Sequence, residues 1–301
     1  MSTESQNEKE RNEMIVKRID FEHGSIPSNI LNAAIPMLVA QLLSLLYNII
    51  DRIYIARIPH IGTTALGAVG LCFPIIVIIT AFSNLFGSGG APLFSISRGE
   101  NDQKKAAEIM NTSYTMVCGS AILLMVIGFL FARPILRLFG ASESALVYAY
   151  PYLMIYLLGT LPSMISTGMN SFINAQGYAM TGMTSVAIGA VANCILDPLF
   201  IFVLQLGIRG AAIATVISQA LSAIFVLYFL KKRAEFKVRL LSRTELATCR
   251  GNAKNIVSLG TAGFIMQLTN SLVSICCNNV DRKSTRLNSS HDQRSRMPSS
   301  A

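Results

Sequence analysis

The sequence has little charge: only 14% of its 301 residues are Asp, Glu, Lys or Arg. A soluble domain of this length needs more charge to cover its surface, so a soluble globular class is disfavoured. The net charge of +9 would suggest a nucleic-acid partner in a soluble protein. Here the Lys and Arg residues stand between apolar segments, so we expect the lipid bilayer as partner and no nucleic acid.

Cysteine motifs are also missing. None of the six cysteines has the spacing of a zinc or redox site, and five lie inside apolar runs. We expect them to pack as small hydrophobic residues, which disfavours a metal site or a disulfide framework. The six are Cys72, Cys118, Cys194, Cys249, Cys276 and Cys277.

The N-terminal segment lacks a secretion signal. Residues 1–27 are polar and charged, without a short apolar core or a cleavage-type site. No signal peptide is therefore predicted, and the first spanning helix itself would direct insertion.

Long apolar segments dominate the rest of the chain, which is 52% hydrophobic with a mean hydropathy of +0.50. A spanning helix needs about 20 largely apolar residues. That length predicts an all-α integral membrane protein with seven spanning helices. The predicted helices are Ser28–Ala56, Thr64–Leu93, Ala107–Ala132, Ala145–Asn170, Met180–Leu206, Gly210–Leu230 and Asn255–Asn279.

The distribution of Lys and Arg predicts the orientation. Fifteen of them precede helix one, separate helices two and three, or follow helix six, against four in the alternate loops. Basic loops stay in the cytoplasm, so the N-terminus is predicted to be cytoplasmic. The fifteen are Lys9, Arg11, Lys17, Arg18, Arg98, Lys104, Lys105, Lys231, Lys232, Arg233, Lys237, Arg239, Arg243, Arg250 and Lys254, and the four are Arg57, Arg133, Arg137 and Arg209.

Predicted helix seven repeats helix one at an offset of 226 positions: Gln41-Leu42 returns as Gln267-Leu268, and Asn29-Ile30 as Asn255-Ile256. The two copies are six helices apart in chain order, with five helices between them, so both would cross the bilayer in the same direction, as in a parallel repeat. The chain is then expected to hold one six-helix lobe and the first helix of a second lobe.

This repeat predicts five regions. Residues 1–27 form a cytoplasmic tail, 28–230 the six-helix N-lobe, 231–254 a basic cytoplasmic inter-lobe linker, and 255–279 the first helix of a truncated C-lobe. The apolar pattern stops after 279, and residues 280–301 resemble translated adapter or vector sequence, so we expect a non-native tail there. A natural disordered tail is the alternative.

Polar residues form a stripe on predicted helix one. Gln41, Ser44, Asn48 and Asp51 are spaced i, i+3, i+7 and i+10, and thus share one helical face. Amides facing lipid are costly, so this face is expected to line a cavity. Alternatively, Asp51 only pairs with Arg52 or caps the helix.

Predicted helix five carries Asn193 and Asp197 on one face, followed by Pro198, and helix six carries Thr215 in its first turns. An ionisable group at this depth is by default functional, although the Asp could instead serve backbone groups freed by the proline. Helix direction places Asp51, Asp197 and Thr215 in the outer half of the membrane. Two carboxylates there could share a proton or bind a cation.

Helix six also carries a polar face for which a cavity lining and simple helix packing are equally good interpretations. Its residues are Thr215, Ser218, Gln219 and Ser222.

Four segments, taken in order, resemble the multidrug and toxic compound extrusion (MATE) family over residues 28–279. They are Ala34-Ile35-Pro36 with Tyr47-Asn48-Ile49-Ile50-Asp51-Arg52-Ile53-Tyr54-Ile55, then Gly89-Gly90-Ala91-Pro92, then Asn193-Cys194-Ile195-Leu196-Asp197-Pro198, and finally Gly207-Ile208-Arg209-Gly210-Ala211-Ala212-Ile213-Ala214-Thr215.

The resemblance implies a twelve-helix antiporter of the bacterial plasma membrane, with two lobes that alternate access and export amphipathic, often cationic, drugs or toxins. It implies no cofactor, only H⁺ or Na⁺ as coupling ion, at a site of Asp51, Asn193, Asp197 and Thr215. Partner proteins are not indicated. Expected substrate-cavity residues are Gln41, Asn48, Tyr152, Gln267 and Asn270.

Three alternatives remain at the level of sequence. A flippase for lipid-linked sugars of the same superfamily would need Lys or Arg well inside its helices, and the sequence has none there. An intramembrane enzyme would use Asp51 and Asp197 as a catalytic pair, but no matching motif accompanies them, so no enzyme is predicted. Lastly, a chain without most of its second lobe is expected not to transport alone.

Overall fold

A computed structural model describes residue 19, residues 25–242, residue 245 and residues 249–295. In this part the chain consists of eight α-helices, one π-helical turn and short connections, so the all-α prediction is confirmed. The helices are α1 Ile26–Ala56, α2 Gly62–Gly99, α3 Gln103–Leu138, α4 Glu143–Leu158, α5 Thr160–Ala175, α6 Ala179–Pro198, α7 Ile208–Lys232 and α8 Arg250–Ser295.

Six of these helices are long and apolar enough to cross a membrane, and α4 with α5 adds a seventh as a bent pair. The prediction of one straight helix over Ala145–Asn170 is wrong, because the axis turns by 55° at Gly159. A Cβ on Gly159 would lie 2.8 Å from both Gln219 Oε1 and Val216 Cγ2 of α7. The bend occurs where α7 approaches closely, and α4 and α5 pack around it.

Predicted helix five is also interrupted. After α6 ends at Pro198, residues Leu199–Val203 form a single π-helical turn. Gly207 has a φ of +55°, which favours glycine, and α7 begins directly after it. Gly210 lies against the backbone of Phe200 in the π-helical turn. These two glycines set the distance between the acid-bearing end of α6 and the start of α7.

The second helix was predicted to end at Leu93, directly after the glycine-rich segment 87–92, and this was wrong: α2 continues to Gly99. Glycine lowers helix stability, but here it permits close contacts that a Cβ would block. Gly87 meets the backbone of Gly168 in α5, and a Cβ on Gly90 would lie 2.8 Å from Phe172. Packing against neighbouring helices therefore sustains this part of α2.

Helix α8 crosses α2 with direct backbone contact. Gly89 lies against Gly260, Gly260 lies against Leu85, and Ser271 Oγ donates to Pro74 O at 3.1 Å. Numbering falls along α2 as it rises along α8, so the two helices are antiparallel. Since a tight connection joins α1 to α2, α1 and α8 run in the same direction. The predicted parallel repeat requires this direction, and the repeat itself stays a prediction.

The ends of the chain differ from the predicted regions. The backbone of α8 is helical to Ser295, beyond the predicted helix end at Asn279. The basic residues Lys9, Arg11, Lys17 and Arg18, and the last six positions of the expected non-native tail, lie outside the described residues. The origin of residues 280–301 stays a prediction.

Candidate functional site

A pair of carboxyl groups lies inside the bundle, where the C-terminal parts of α1 and α6 meet. Asp197 of α6 is completely buried, and Asn193, one turn earlier, is 3% exposed. Asn193 Nδ2 donates to Asp197 Oδ1 at 3.1 Å. The i, i+4 spacing on α6 produces this contact directly, because such residues are neighbours on a helix.

Asp51 of α1 completes the pair, with its carboxyl group within hydrogen-bonding reach of that of Asp197 when one of them is protonated. Asp51 Oδ1 and Asp197 Oδ2 are buried without a hydrogen-bond partner among the described residues. The Arg52 guanidinium stacks over the Phe73 ring, 5.4 Å from its centroid. Arg52 lies within electrostatic range of Asp51, but the described ion pairs do not include these two residues.

Asn193 and Thr215 line one cavity of about 140 Å³, together with Tyr47, Ser218 and Gln219. Thr215 Oγ1 donates to Ala211 O of its own helix at 2.9 Å, which leaves its lone pairs free to accept. The structure therefore brings the four predicted site residues into one region: Asn193 and Thr215 line the cavity, Asn193 donates to Asp197, and Asp197 interacts with Asp51.

Tyrosines of α4 lie behind the acid pair. Tyr152 is 3% exposed and stacks on Tyr156 at 6.2 Å between ring centroids. Its phenol lies within electrostatic range of Asp51 and Asp197. We expected Tyr152 in the substrate cavity, and the structure places it beside the acids. Tyr156, which accepts from Gln219 Nε2 at 3.3 Å, was missed, although its i+4 spacing from Tyr152 signals the shared face.

A second cavity, of about 280 Å³, opens between α1, α5 and α6. Gln41 lines it as expected, with Ser44 of the same helical face. Its opposite wall is a polar stripe on α5 that the sequence reading missed, because the fourth span was treated as one unbroken apolar helix. The signal was present in the spacing of polar residues along α5. Ser166, Thr167, Asn170, Ser171 and Asn174 line this cavity, and Ser163 lines the smaller one.

The other expected cavity residues are not gathered there. Asn48 is exposed, and its Nδ2 donates to Ser44 O of its own helix at 2.6 Å. Gln267 and Asn270 are on α8, which packs on α2 and α3, whereas α1 packs chiefly on α6. Their place in a substrate cavity therefore stays a prediction.

The polar face of α7 is divided between two roles. Ser222 Oγ donates to Ser185 O of α6 at 2.9 Å, so it joins helices as well as lining both cavities. Ser218 Oγ is buried without a hydrogen-bond partner among the described residues, and it lines the cavity with Asn193. In the described part of the chain, no group of three or more His, Cys, Asp and Glu could hold a metal ion. The donor set is therefore a carboxyl pair supplemented by amide and hydroxyl oxygens.

Comparison with protein families gives a match to the MatE family model over residues 36–199, which includes both acids of the pair. The MATE resemblance noted from the sequence is thereby confirmed.

Two named relatives are bacterial. The Multidrug export protein MepA of Staphylococcus haemolyticus is 29% identical over 249 residues, covering 82% of this chain and 54% of the relative. The Probable multidrug resistance protein YpnP of Bacillus subtilis is 27% identical over 217 residues, covering 72% of this chain and 48% of the relative. The chain thus spans about half the length of the relatives it matches.

Among solved structures, the chain is similar to an outward-facing conformation of a multidrug resistance MATE family transporter of the MOP superfamily. The TM-score is 0.77 at 25% identity, covering 85% of this chain and 56% of that one.

Proposed function

The chain belongs to the MatE family of multi-pass membrane transporters, and on that premise we propose that it forms the first lobe of a cation-coupled drug or toxin exporter. The proposal rests on one observation: Asp51 and Asp197 lie together inside the bundle without a buried cation among their described neighbours. In this role the chain is the ion-binding half of an antiporter, and it has no catalytic function.

The chemistry of the carboxyl pair suits reversible loading of a single charge. Two carboxylates side by side in a medium of low dielectric repel each other, so a proton or a sodium ion bound between them relieves that repulsion. Asn193 holds Asp197 in position, and the Thr215 hydroxyl offers a further oxygen ligand along the cavity wall. Hard oxygen ligands of this kind suit Na⁺ as well as H⁺.

Export would use the larger cavity, where Gln41 faces the polar stripe of α5. In the complete protein a second lobe would lie on the opposite side of this cavity. Binding of the coupling ion at the acid pair would favour one arrangement of the two lobes, and binding of the substrate in the cavity would favour another, as alternating access requires. Amphipathic compounds fit a cavity that combines amides with methionine side chains. Because the chain spans half the length of its relatives, we propose that it does not transport alone.

The test is gradient-driven ethidium efflux by the complete protein in vesicles, with a proton or a sodium gradient imposed separately. We expect Asp197→Asn and Asp51→Asn each to reduce efflux to the passive leak, because a neutral amide cannot exchange the charge. Glu143→Gln, which alters an exposed acid paired with Arg137, is the matched control and should leave efflux within about twofold.

Full gradient-driven efflux by Asp197→Asn would refute the coupling role. Expression of residues 1–301 alone is the second arm, and efflux equal to that of empty vesicles is expected. A flippase for lipid-linked sugars, the alternative within the superfamily, would instead move a labelled lipid and leave ethidium inside.

A further inference from the structure

The segment that follows α7 packs against the helix bundle. After Lys232 the chain turns, bends at residues 234–236 and continues without regular secondary structure to residue 241. We call residues 234–241 the strap. Ala234, Phe236 and Val238 point inward and are buried, whereas Glu235 and Lys237 between them point to solvent. This alternation is that of a strand lying on a surface, with every second side chain in the core.

Phe236 anchors the strap at a buried amide. Its backbone N–H donates to Gln176 Oε1 at 3.1 Å, and Gln176 is completely buried after α5. Its ring meets Phe94 of α2 edge to face at 5.0 Å, and Phe94 in turn meets Phe172 of α5. Without the strap, the buried Gln176 Oε1 would lose its backbone donor. The ring of Phe94, which also packs on Phe172, would lose its contact with Phe236.

Two further amides of the strap bond to side chains of α3. Arg239 N–H donates to Asn111 Oδ1 at 2.9 Å, and Leu241 N–H donates to Thr115 Oγ1 at 3.0 Å. Asn111 and Thr115 are spaced i, i+4 on α3, and their partners are two apart on the strap. Four residues of a helix advance about 6.0 Å, and two extended residues advance about 6.6 Å, so the two sets of hydrogen-bonding groups are in register.

The start of the strap is fixed as well. Val238 N–H donates to Leu230 O near the end of α7 at 3.3 Å. Arg98 of α2 donates to Ala175 O at 3.2 Å and lies 3.7 Å from a carboxylate oxygen of Glu235. The strap therefore contacts α2, α3, α7 and the end of α5, all within the first lobe.

We propose that Gln176, Asn111 and Thr115 form a docking site for the strap, and that these three are positioning residues which make the strap part of the first lobe. Within the inter-lobe connection of residues 231–254, residues 234–241 are then fixed to the first lobe, so the connection does not act as a flexible linker over its whole length. Any movement of the second lobe against the first must be absorbed after Leu241. That consequence rests on the proposed transport function, whereas the docking itself does not.

The test is limited proteolysis of the full chain in inside-out vesicles, following trypsin cleavage after Lys237. A protease needs several residues released from the surface, so the rate reports the fraction of undocked strap. We expect the native strap to be cleaved much more slowly than in the detergent-denatured chain. Asn111→Leu and Thr115→Val should each raise the rate about three- to tenfold, because each removes one buried hydrogen bond.

Two controls separate docking from general destabilisation. Thr112→Val removes a buried hydroxyl of the same helix that donates only to Glu108 O, at 2.7 Å, and it should leave cleavage after Lys237 within about twofold. Asn111→Asp keeps an acceptor oxygen and should restore slow cleavage.

Two results would overturn the proposal: native cleavage after Lys237 at the denatured rate, or equal acceleration by Thr112→Val and Thr115→Val. A third arm repeats the digest on the complete protein with ethidium and an imposed gradient. An unchanged rate is expected, and a rise above about threefold would refute continuous docking. Because digestion without a gradient requires no transport, failure of the docking site is distinguishable from failure of the coupling site.

Discussion

Arg239 of the strap and Glu245, which follows the strap, form a bidentate ion pair, with Nη2–Oε1 and Nη1–Oε2 distances of 2.8 and 3.2 Å. Ser242 N–H also donates to Glu245 Oε2, at 2.9 Å. The hydrogen bonds from Arg239, and then that from the Ser242 amide, lower the pKa of Glu245 below its ordinary value. A single carboxylate thus accepts hydrogen bonds from both the Arg239 guanidinium and the Ser242 amide.

This pair predicts a local pH dependence. Because the pKa of Glu245 is lowered in the folded chain, its stabilisation is fully present above the ordinary Glu pKa and is lost as pH falls through the lowered value. A nitroxide on Leu240→Cys should be immobile near neutrality and become mobile below about pH 4. Glu245→Gln should abolish the transition, and a label that stays immobile at low pH would contradict the prediction.

Buried polar side chains in the candidate site also differ in whether they have a hydrogen-bond partner. Asp197 accepts from Asn193 and faces Asp51, whereas Ser218 Oγ is buried and unpaired among the described residues. The helical spacing of Asn193 and Asp197 was readable from the sequence. The approach of Asp51 was only inferred from membrane depth, since residues 146 positions apart meet through the packing of α1 on α6.

At the scale of helices, glycine contacts determine which elements touch. The α2–α8 crossing brings Gly89 and Gly260 against each other's helix backbone, with a buried hydrogen bond from Ser271 to Pro74 further along. Small residues let helices in a membrane approach closely. Because lipid is as apolar as the helix surfaces, the hydrophobic effect does not drive helix association there, and dispersion contacts stabilise it instead. This crossing attaches the first helix of the predicted second lobe to the first lobe.

Gly260→Ala is therefore expected to destabilise the crossing by about 1–3 kcal/mol, because its methyl group would clash with the backbone at Leu85. Gly263→Ala is the matched control on the same helix, since a Cβ there meets nothing within 4 Å. Thermal unfolding of the two variants in detergent provides the measurement. Equal melting temperatures of the two variants would contradict the prediction, because they would show that α2 and α8 can move apart without loss of stability.

Bends and interruptions belong to the same scale. The division of the fourth span into α4 and α5, and the π-helical turn after Pro198, were not predicted. A single glycine in an apolar run, such as Gly159, indicates neither a bend nor its direction. The bend follows from α7 packing into the gap, and α7 lies some 60 residues away in the chain.

At the scale of the whole molecule, the arrangement of seven spans fixes alternate sides for successive connections. The positive-inside rule then predicts that Asn101 faces the cytoplasm and Ser144 the outside. In a background free of the six native cysteines, a membrane-impermeant maleimide added to intact cells should label Ser144→Cys and leave Asn101→Cys unlabelled. The reverse pattern would invert the predicted orientation, including the depth assigned to the acid pair.

The parallel repeat and the role of the acids stay predictions. The sequence by itself determined the all-α membrane class, the apolar spans and the spacing that places Asn193 and Asp197 on one helical face. These depend on local quantities: the length of apolar runs, helical spacing and the placement of Lys and Arg between spans. Only the tertiary structure decided the bend at Gly159, the placement of Tyr152 beside the acids, the polar stripe of α5 as a cavity wall, and the docking of the strap. Each of these is a contact between residues distant in the chain. Such contacts depend on how the helices pack, and the local pattern of charged and hydrophobic residues does not specify that packing.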